Sequence, residues 1–248
     1  MPAALPNRIT LSSVYRPADP RERLIVALDV STAAAAQQIV AAVGDSALTY
    51  KVGMQLYTAV GPQIVRDLVA SGRRVFLDLK YHDIPNTVGA AVTEAAKLGV
   101  SMLTVHAAGG GKMLCAAVDA AKASPGLMVL AVTVLTSLGA SDLEKAGISG
   151  SVEDNVLRLA KIALDSGCQG LVSSAREAPT LRADLGDNFA LITPGVRPAG
   201  ASVGDQVRVV TPAEAIAAGA SHIVVGRPIT EAADPAAEAR AILEQISG

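Results

Sequence analysis

The chain has 248 residues, half of them hydrophobic, and a formal charge of −2 with acids and bases interspersed. It therefore offers no basic stripe to follow a nucleic-acid backbone and no polybasic patch to hold a membrane surface. The length suits one α/β barrel of roughly 250 residues or two small domains, and with two Phe, four Tyr and no Trp the core has to be packed from Ala, Val, Leu and Ile.

Residues 1–22 lack periodicity and are expected to form a loosely ordered lead-in to a single domain over 23–248. Met1 to Arg23 carries four Pro and scattered Arg without an apolar signal core, and no later apolar run approaches the length of a membrane span. The chain is expected to be cytoplasmic. Leu24-Ile-Val-Ala-Leu-Asp29 reads as a strand ending in a carboxylate, followed by Ser31-Thr32 as a helix cap and an Ala-rich helix to about Val43. Leu48-Thr-Tyr-Lys-Val-Gly53 repeats the pattern with Lys51 near its end, then a helix through about Ala70. The third unit pairs a strand at Val75 to Lys80 with a helix from Pro85 to Leu98. The fourth pairs Ser101 to His106 with a Gly-rich turn and a helix over 111–123.

Leu127 to Leu135 is the fifth strand, followed by a long polar connection from Thr136 to Gly147 and a helix at about 152–166. Strand six is Gly170 to Ser174, with a short helix after it, and strand seven is Phe189 to Thr193. A second long loop runs from Pro194 to Thr211; such loops in compact domains are commonly functional. A helix from Pro212 to Ala218, a last strand at His222 to Gly226 and a helical region from Arg227 to Gln245 complete eight strand and helix pairs. Strict alternation of short apolar strands with helices implies a parallel sheet covered on both faces. An open dinucleotide-binding sheet would carry a Gly-rich turn after strand one, but Leu28-Asp29-Val30-Ser31 has no Gly. The expected fold is a (β/α)8 TIM barrel.

In such a barrel the strand C-termini converge on one mouth, which gathers Asp29, Lys51, Asp78 and Lys80 above an otherwise uncharged interior. Asp78 and Lys80 share a strand face by alternation, while Leu77 and Leu79 face apolar packing. Two carboxylates and two ammoniums nearly cancel, which makes so dense a group of charges tolerable. A carboxylate on each side of Lys80 would favour its ammonium form and suit it to electrostatic anchoring and proton donation. Across the mouth, backbone NH groups near Gly226 together with Arg227 offer an anion site, with Arg197 and Gln206 on the preceding loop able to close over it.

Other signals are weaker. Gly109-Gly-Gly-Lys112 fails the phosphate-loop pattern, because His106 and Met113 occupy required positions; it reads as a strand-to-helix turn. His82 and His106 read as orienting or structural rings. The three His show no metal-ligand spacing, and Cys115 and Cys168 are expected to be reduced core residues.

Asp78-Leu-Lys80-Tyr-His-Asp83-Ile-Pro-Asn-Thr87 resembles the Asp-x-Lys-x-x-Asp signature of the bacterial orotidine 5′-phosphate decarboxylases. The resemblance extends through Leu28-Asp29, Tyr50-Lys51-Val-Gly53, Leu103 to Ala107, Val132 to Ser137, Thr193 to Pro198, Asp205-Gln206 and Val225 to Pro228. It implies conversion of orotidine 5′-monophosphate to UMP and CO2 in pyrimidine biosynthesis, with no metal and no organic cofactor. On that resemblance, Lys80 stabilises and protonates a C6 carbanion and Asp78 sits near the departing carboxylate. Asp29 and Lys51 bind the ribose and order the charges. Asp83 and Thr87 reach the neighbouring site of a homodimer. Thr136 and Ser137 contact the pyrimidine, and Arg197, Gln206, Gly226 and Arg227 hold the phosphate.

Metal-dependent sugar-phosphate decarboxylases and aldolases resemble this chain in fold and motif spacing, but they look for a carboxylate ligand at the end of strand two. Lys51 stands there instead, and a cation repels a divalent ion. A non-catalytic phosphoribosyl-binding barrel is a second alternative, and it would have no need of Lys80 between carboxylates.

Overall fold

The apolar runs of the sequence form eight parallel strands that close in the order β1 to β8, as seen in a computed structural model that describes residues 15, 17, 19–198 and 210–247. Chain order begins with α1 (Pro20–Arg23), β1 (Leu24–Ala27), α2 (Ala33–Val43), β2 (Thr49–Gly53), α3 (Met54–Val60) and α4 (Gln63–Ala70). It continues with β3 (Arg74–Tyr81), α5 (Pro85–Lys97), β4 (Met102–His106), α6 (Gly110–Ala121), β5 (Met128–Val132), α7 (Ala140–Lys145), α8 (Val152–Asp165) and β6 (Gly170–Val172). Then come α9 (Ala178–Leu185), β7 (Ala190–Thr193), α10 (Pro212–Ala217), β8 (His222–Val225), α11 (Arg227–Thr230) and α12 (Pro235–Ile246). The expected TIM barrel is thus the observed fold. Among the described residues no helix is long and apolar enough to cross a membrane.

Strand alternation divides the apolar residues into two layers. Leu24, Val26, Tyr50, Val75, Leu77, Leu103 and Val105 face the helices and join the larger core. Ile25, Ala27, Phe76, Met102, Leu130, Ala190, Ile192 and Val224 fill the barrel interior, joined by Tyr15 from ahead of β1. The interior is so full that β6 has to enter it with a glycine: a Cβ on Gly170 would stand 2.6 Å from both the Ala190 carbonyl oxygen and Leu130 Cδ2.

Several local boundaries differ from the sequence reading, each for a visible reason. The helix expected to run through Ala70 breaks at Gly61, whose φ of 71° closes α3 ahead of Pro62 and α4. The polar connection after strand five contains α7, whose first turn is tied by Gly139 N donating to Asp142 Oδ2. The final helical region is two helices, the second capped by Asp234. Within the expected lead-in, Asp19 caps α1 through its side chain. Cys115 is exposed on α6, a correction to its expected core position, because the apolar stripe of α6 is carried by Met113, Leu114, Ala117 and Val118. Cys168 is buried, which pushes its thiol up to about 12.

Two outcomes follow from the interior. Gly170→Ala should lower the unfolding free energy by about 1–3 kcal/mol or more, since neither the Ala190 backbone nor the packed Leu130 can yield cheaply; denaturant unfolding with an unchanged midpoint would contradict this. His222, on β8, is buried with Ser221 Oγ 2.9 Å from its Nδ1. Burial, assisted by the Arg23 and Arg74 charges, pushes its imidazole down from 6.5 to about 4. The unfolded chain protonates this ring as pH falls through about 6.5, whereas the folded chain keeps it neutral to about 4, so stability declines between those values and is unaffected by this ring above them. Wild type should lose on the order of 2 kcal/mol more than His222→Gln between pH 6.5 and 4.5; parallel losses in the two proteins would contradict it.

Candidate active site

At the C-terminal mouth, β1, β2 and β3 place carboxylates and ammoniums in alternation. Lys51 Nζ lies 2.9 Å from Asp29 Oδ1 and 3.8 Å from Asp78 Oδ2, and Lys80 Nζ lies 2.9 Å from Asp78 Oδ1. The chain of charges therefore runs Asp29, Lys51, Asp78, Lys80. It is graded in exposure: Asp29 is 58% exposed, whereas Lys51 and Asp78 keep only 12% and 14% and Lys80 27%. Gly53 gives this arrangement its room, since a Cβ there would come within 3.0 Å of Lys51 Nζ and 3.4 Å of Asp29 Oδ1.

Lys80 reaches Asp78 by a route that simple alternation does not supply. Leu77 pairs with Leu103 and Tyr81 with Val105, so Asp78, Leu79 and Lys80 together face the single residue Thr104. The bulge puts Lys80 at φ 52°, the one non-glycine at positive φ among the described residues, a conformation that costs about 1–3 kcal/mol. Thr104 is fully buried; its hydroxyl accepts from Lys80 N at 2.9 Å and lies 3.0 Å from Asp78 Oδ1. Sequence reading passed over this threonine, which looks like one more β-branched strand residue. The signal that could have found it is its position one strand over from Asp78.

The charges border a two-lobed cleft. One lobe, of about 550 Å³, is lined by Asp29, Lys51 and Asp78 and by Arg197, Gly226 and Arg227, with Gly226 close beside Asp29. The second, of about 170 Å³, holds Lys80 and Thr136 among apolar side chains such as Phe76, Val132, Val172 and Val224. Lys51, Asp78, Pro194 and Val224 border both lobes. The two lobes suit an elongated ligand with an anionic end near Arg197 and Arg227 and a smaller, less polar end beside Lys80.

The remaining expected site residues lie elsewhere. Ser137 is exposed and outside the lining of either lobe. Asp83 and Thr87 are exposed at the start of α5, where Asp83 Oδ1 accepts from Ile84 N at 2.6 Å. Gln206 falls outside the described residues. His82 and His106 stack with ring centroids 5.3 Å apart, and His106 Nδ1 accepts from Ala108 N, so its ring caps the turn ahead of α6. Burial lowers the pKa of His106, with His82 and Lys80 adding to the effect.

Comparison with known proteins agrees with this geometry. The family model described as orotidine 5′-phosphate decarboxylase / HUMPS family matches residues 22–242. The orotidine 5′-phosphate decarboxylase of Afipia carboxidovorans is 53% identical over 231 residues, covering 93% of this chain and 97% of that protein. That of Idiomarina loihiensis is 51% identical over 226 residues, covering 90% and 97%. The crystal structure of orotidine 5′-phosphate decarboxylase from Lactobacillus acidophilus superposes with a TM-score of 0.83 at 38% identity, covering 92% of this chain and 100% of that one. With its length matched almost end to end and its charged motif at the barrel mouth, the chain belongs to the orotidine 5′-phosphate decarboxylase / HUMPS family.

Proposed function

We propose that this chain decarboxylates orotidine 5′-monophosphate to UMP, the pyrimidine-biosynthetic reaction of its named relatives, with Lys80 as the proton donor. The observation that carries the reading is the alternating charge chain ending at Lys80 beside an apolar lobe. The substrate phosphate lies at the Arg197, Gly226 and Arg227 end. The ribose meets Asp29 and Lys51. The pyrimidine enters the lobe lined by Thr136, near Ser137, with C6 toward Lys80 and its carboxylate near Asp78. The C6–carboxylate bond breaks, CO2 leaves, and the electron pair stays on C6. That carbanion has no electron sink in the ring, so it needs charge fixed in advance, which the Lys80 ammonium supplies before giving C6 its proton. Phosphate binding, remote from C6, contributes transition-state stabilisation through the whole-ligand fit.

A metal-dependent reaction on a sugar phosphate is disfavoured by one observation. The end of β2 presents the Lys51 ammonium, already bound to Asp29 and facing Asp78, where a divalent ion would need an anionic ligand.

A homodimer completes the reading. Asp83 and Thr87 project from the rim, and among the described residues Asp83 makes no ion pair within its own chain. Met54 and Ile84, which follow the neighbouring strands β2 and β3, are 56% and 66% exposed. Apolar exposure on this scale beside a charged site is what a partner subunit would cover.

Ultraviolet decay of orotidine 5′-monophosphate tests the chemistry. Chelator-treated wild type should stay active while Lys80→Ala loses more than about 10³-fold; a chelated enzyme restored only by Mg²⁺ and a keto-sugar phosphate would sink the assignment. Mixing tests the shared site. Lys80→Ala and Asp83→Ala subunits, each inactive alone, should recover about a quarter of wild-type activity when refolded together, because each hybrid dimer regains one intact site. No recovery from demonstrated hybrids would place Asp83 in its own subunit's chemistry.

A further inference from the structure

We propose that Thr104 is a positioning residue for the proton donor, holding both ends of the Lys80 side chain's geometry through one hydroxyl. This rests on the reading of Lys80 given above. Its starting point is the β3–β4 register: three residues of β3 oppose one of β4, so the backbone ladder that would otherwise orient Asp78 and Lys80 is interrupted where the chemistry needs it most.

The Thr104 side chain replaces that ladder. Its Oγ1 accepts from the Lys80 backbone N–H at 2.9 Å and donates to Asp78 Oδ1 at 3.0 Å. The same Oδ1 accepts from Lys80 Nζ at 2.9 Å. Backbone nitrogen, hydroxyl, carboxylate and ammonium thus close a ring in which Thr104 alone is outside the bulge. Because Thr104 is fully buried, water does not substitute for its hydroxyl. The left-handed backbone of Lys80 is held by an acceptor, and the carboxylate that sets the ammonium's position is held by a donor. A hydroxyl can serve both roles at once; a methyl of the same size serves neither.

The test compares full-length Thr104→Val and Thr104→Ser by steady-state decarboxylation of orotidine 5′-monophosphate, with Lys80→Ala in parallel and thermal melts of each. Thr104→Val should lower kcat about ten- to hundredfold, the scale of a misplaced reacting group, with KM changed less than about threefold. Thr104→Ser, which keeps the hydroxyl, should stay within about threefold of wild type in both constants. Wild-type kcat in the valine variant, equal losses in valine and serine variants, or a rise in KM alone would each overturn the proposal. Should the valine variant fail to fold, Thr104→Ala against Thr104→Ser carries the same comparison, since both lose the methyl and only alanine loses the hydroxyl. Substantial activity in Lys80→Ala would defeat the reading of Lys80 and this inference with it. An inactive Lys80→Ala beside a fully active Thr104→Val would defeat the positioning role alone.

Discussion

The structure depends on keeping four opposite charges together at the top of an apolar barrel. Neither Lys51 nor Asp78 has much access to water, so each is tolerable there only because the other, with Asp29 and Lys80, neutralises it. Asp29 Oδ1 and Lys80 Nζ each lie 2.9 Å from their partners at the two ends of the chain, while the central Lys51–Asp78 pair is looser at 3.8 Å. Three local features serve this arrangement: the absent side chain at Gly53, the bulge in β3, and the Thr104 hydroxyl. Below the charges, Ala27 and Phe76 belong to the apolar packing of the barrel interior.

The cost of the arrangement is concentrated at Lys80. Its left-handed backbone is strained, and strain of this kind persists only where surrounding contacts over-determine it. Here those contacts are the pairing of Tyr81 with Val105 beyond the bulge and the hydrogen bonds of Thr104 before it. The result is an ammonium whose position is set before any ligand arrives. For a reaction that develops charge on a ring carbon, preorganisation of this kind is the main catalytic resource a protein without an electron sink can offer.

The cleft joins two unlike lobes. Arg197, Arg227 and the Gly226 backbone line one lobe together with Asp29, and Lys80 borders a smaller, more apolar lobe with Asp78. In the proposed function, binding contacts made at the polar end act on the reacting end through a ligand that spans both. Asp83, Ile84 and Thr87 are exposed and line neither lobe, and their place in the proposed function is at a partner subunit's site.

The sequence by itself determined the closed barrel, because eight apolar runs alternating with helices leave few other ways to cover a parallel sheet. It also determined which residues reach the mouth, because Asp29, Lys51, Asp78 and Lys80 each lie at or near the end of such a run. Its reading of Lys80 as the alternate of Asp78 identified the right neighbour by the wrong geometry. A bulge arises from the register between two strands, and register is a property of the pair. Thr104, Gly53 and the exposure of Cys115 were hidden for the same reason: a hydroxyl, a missing Cβ and a helix face acquire meaning only from what lies opposite them. Tertiary structure decided those contacts, since they join residues such as Asp78 and Thr104 that are far apart along the chain and adjacent only once the barrel has closed.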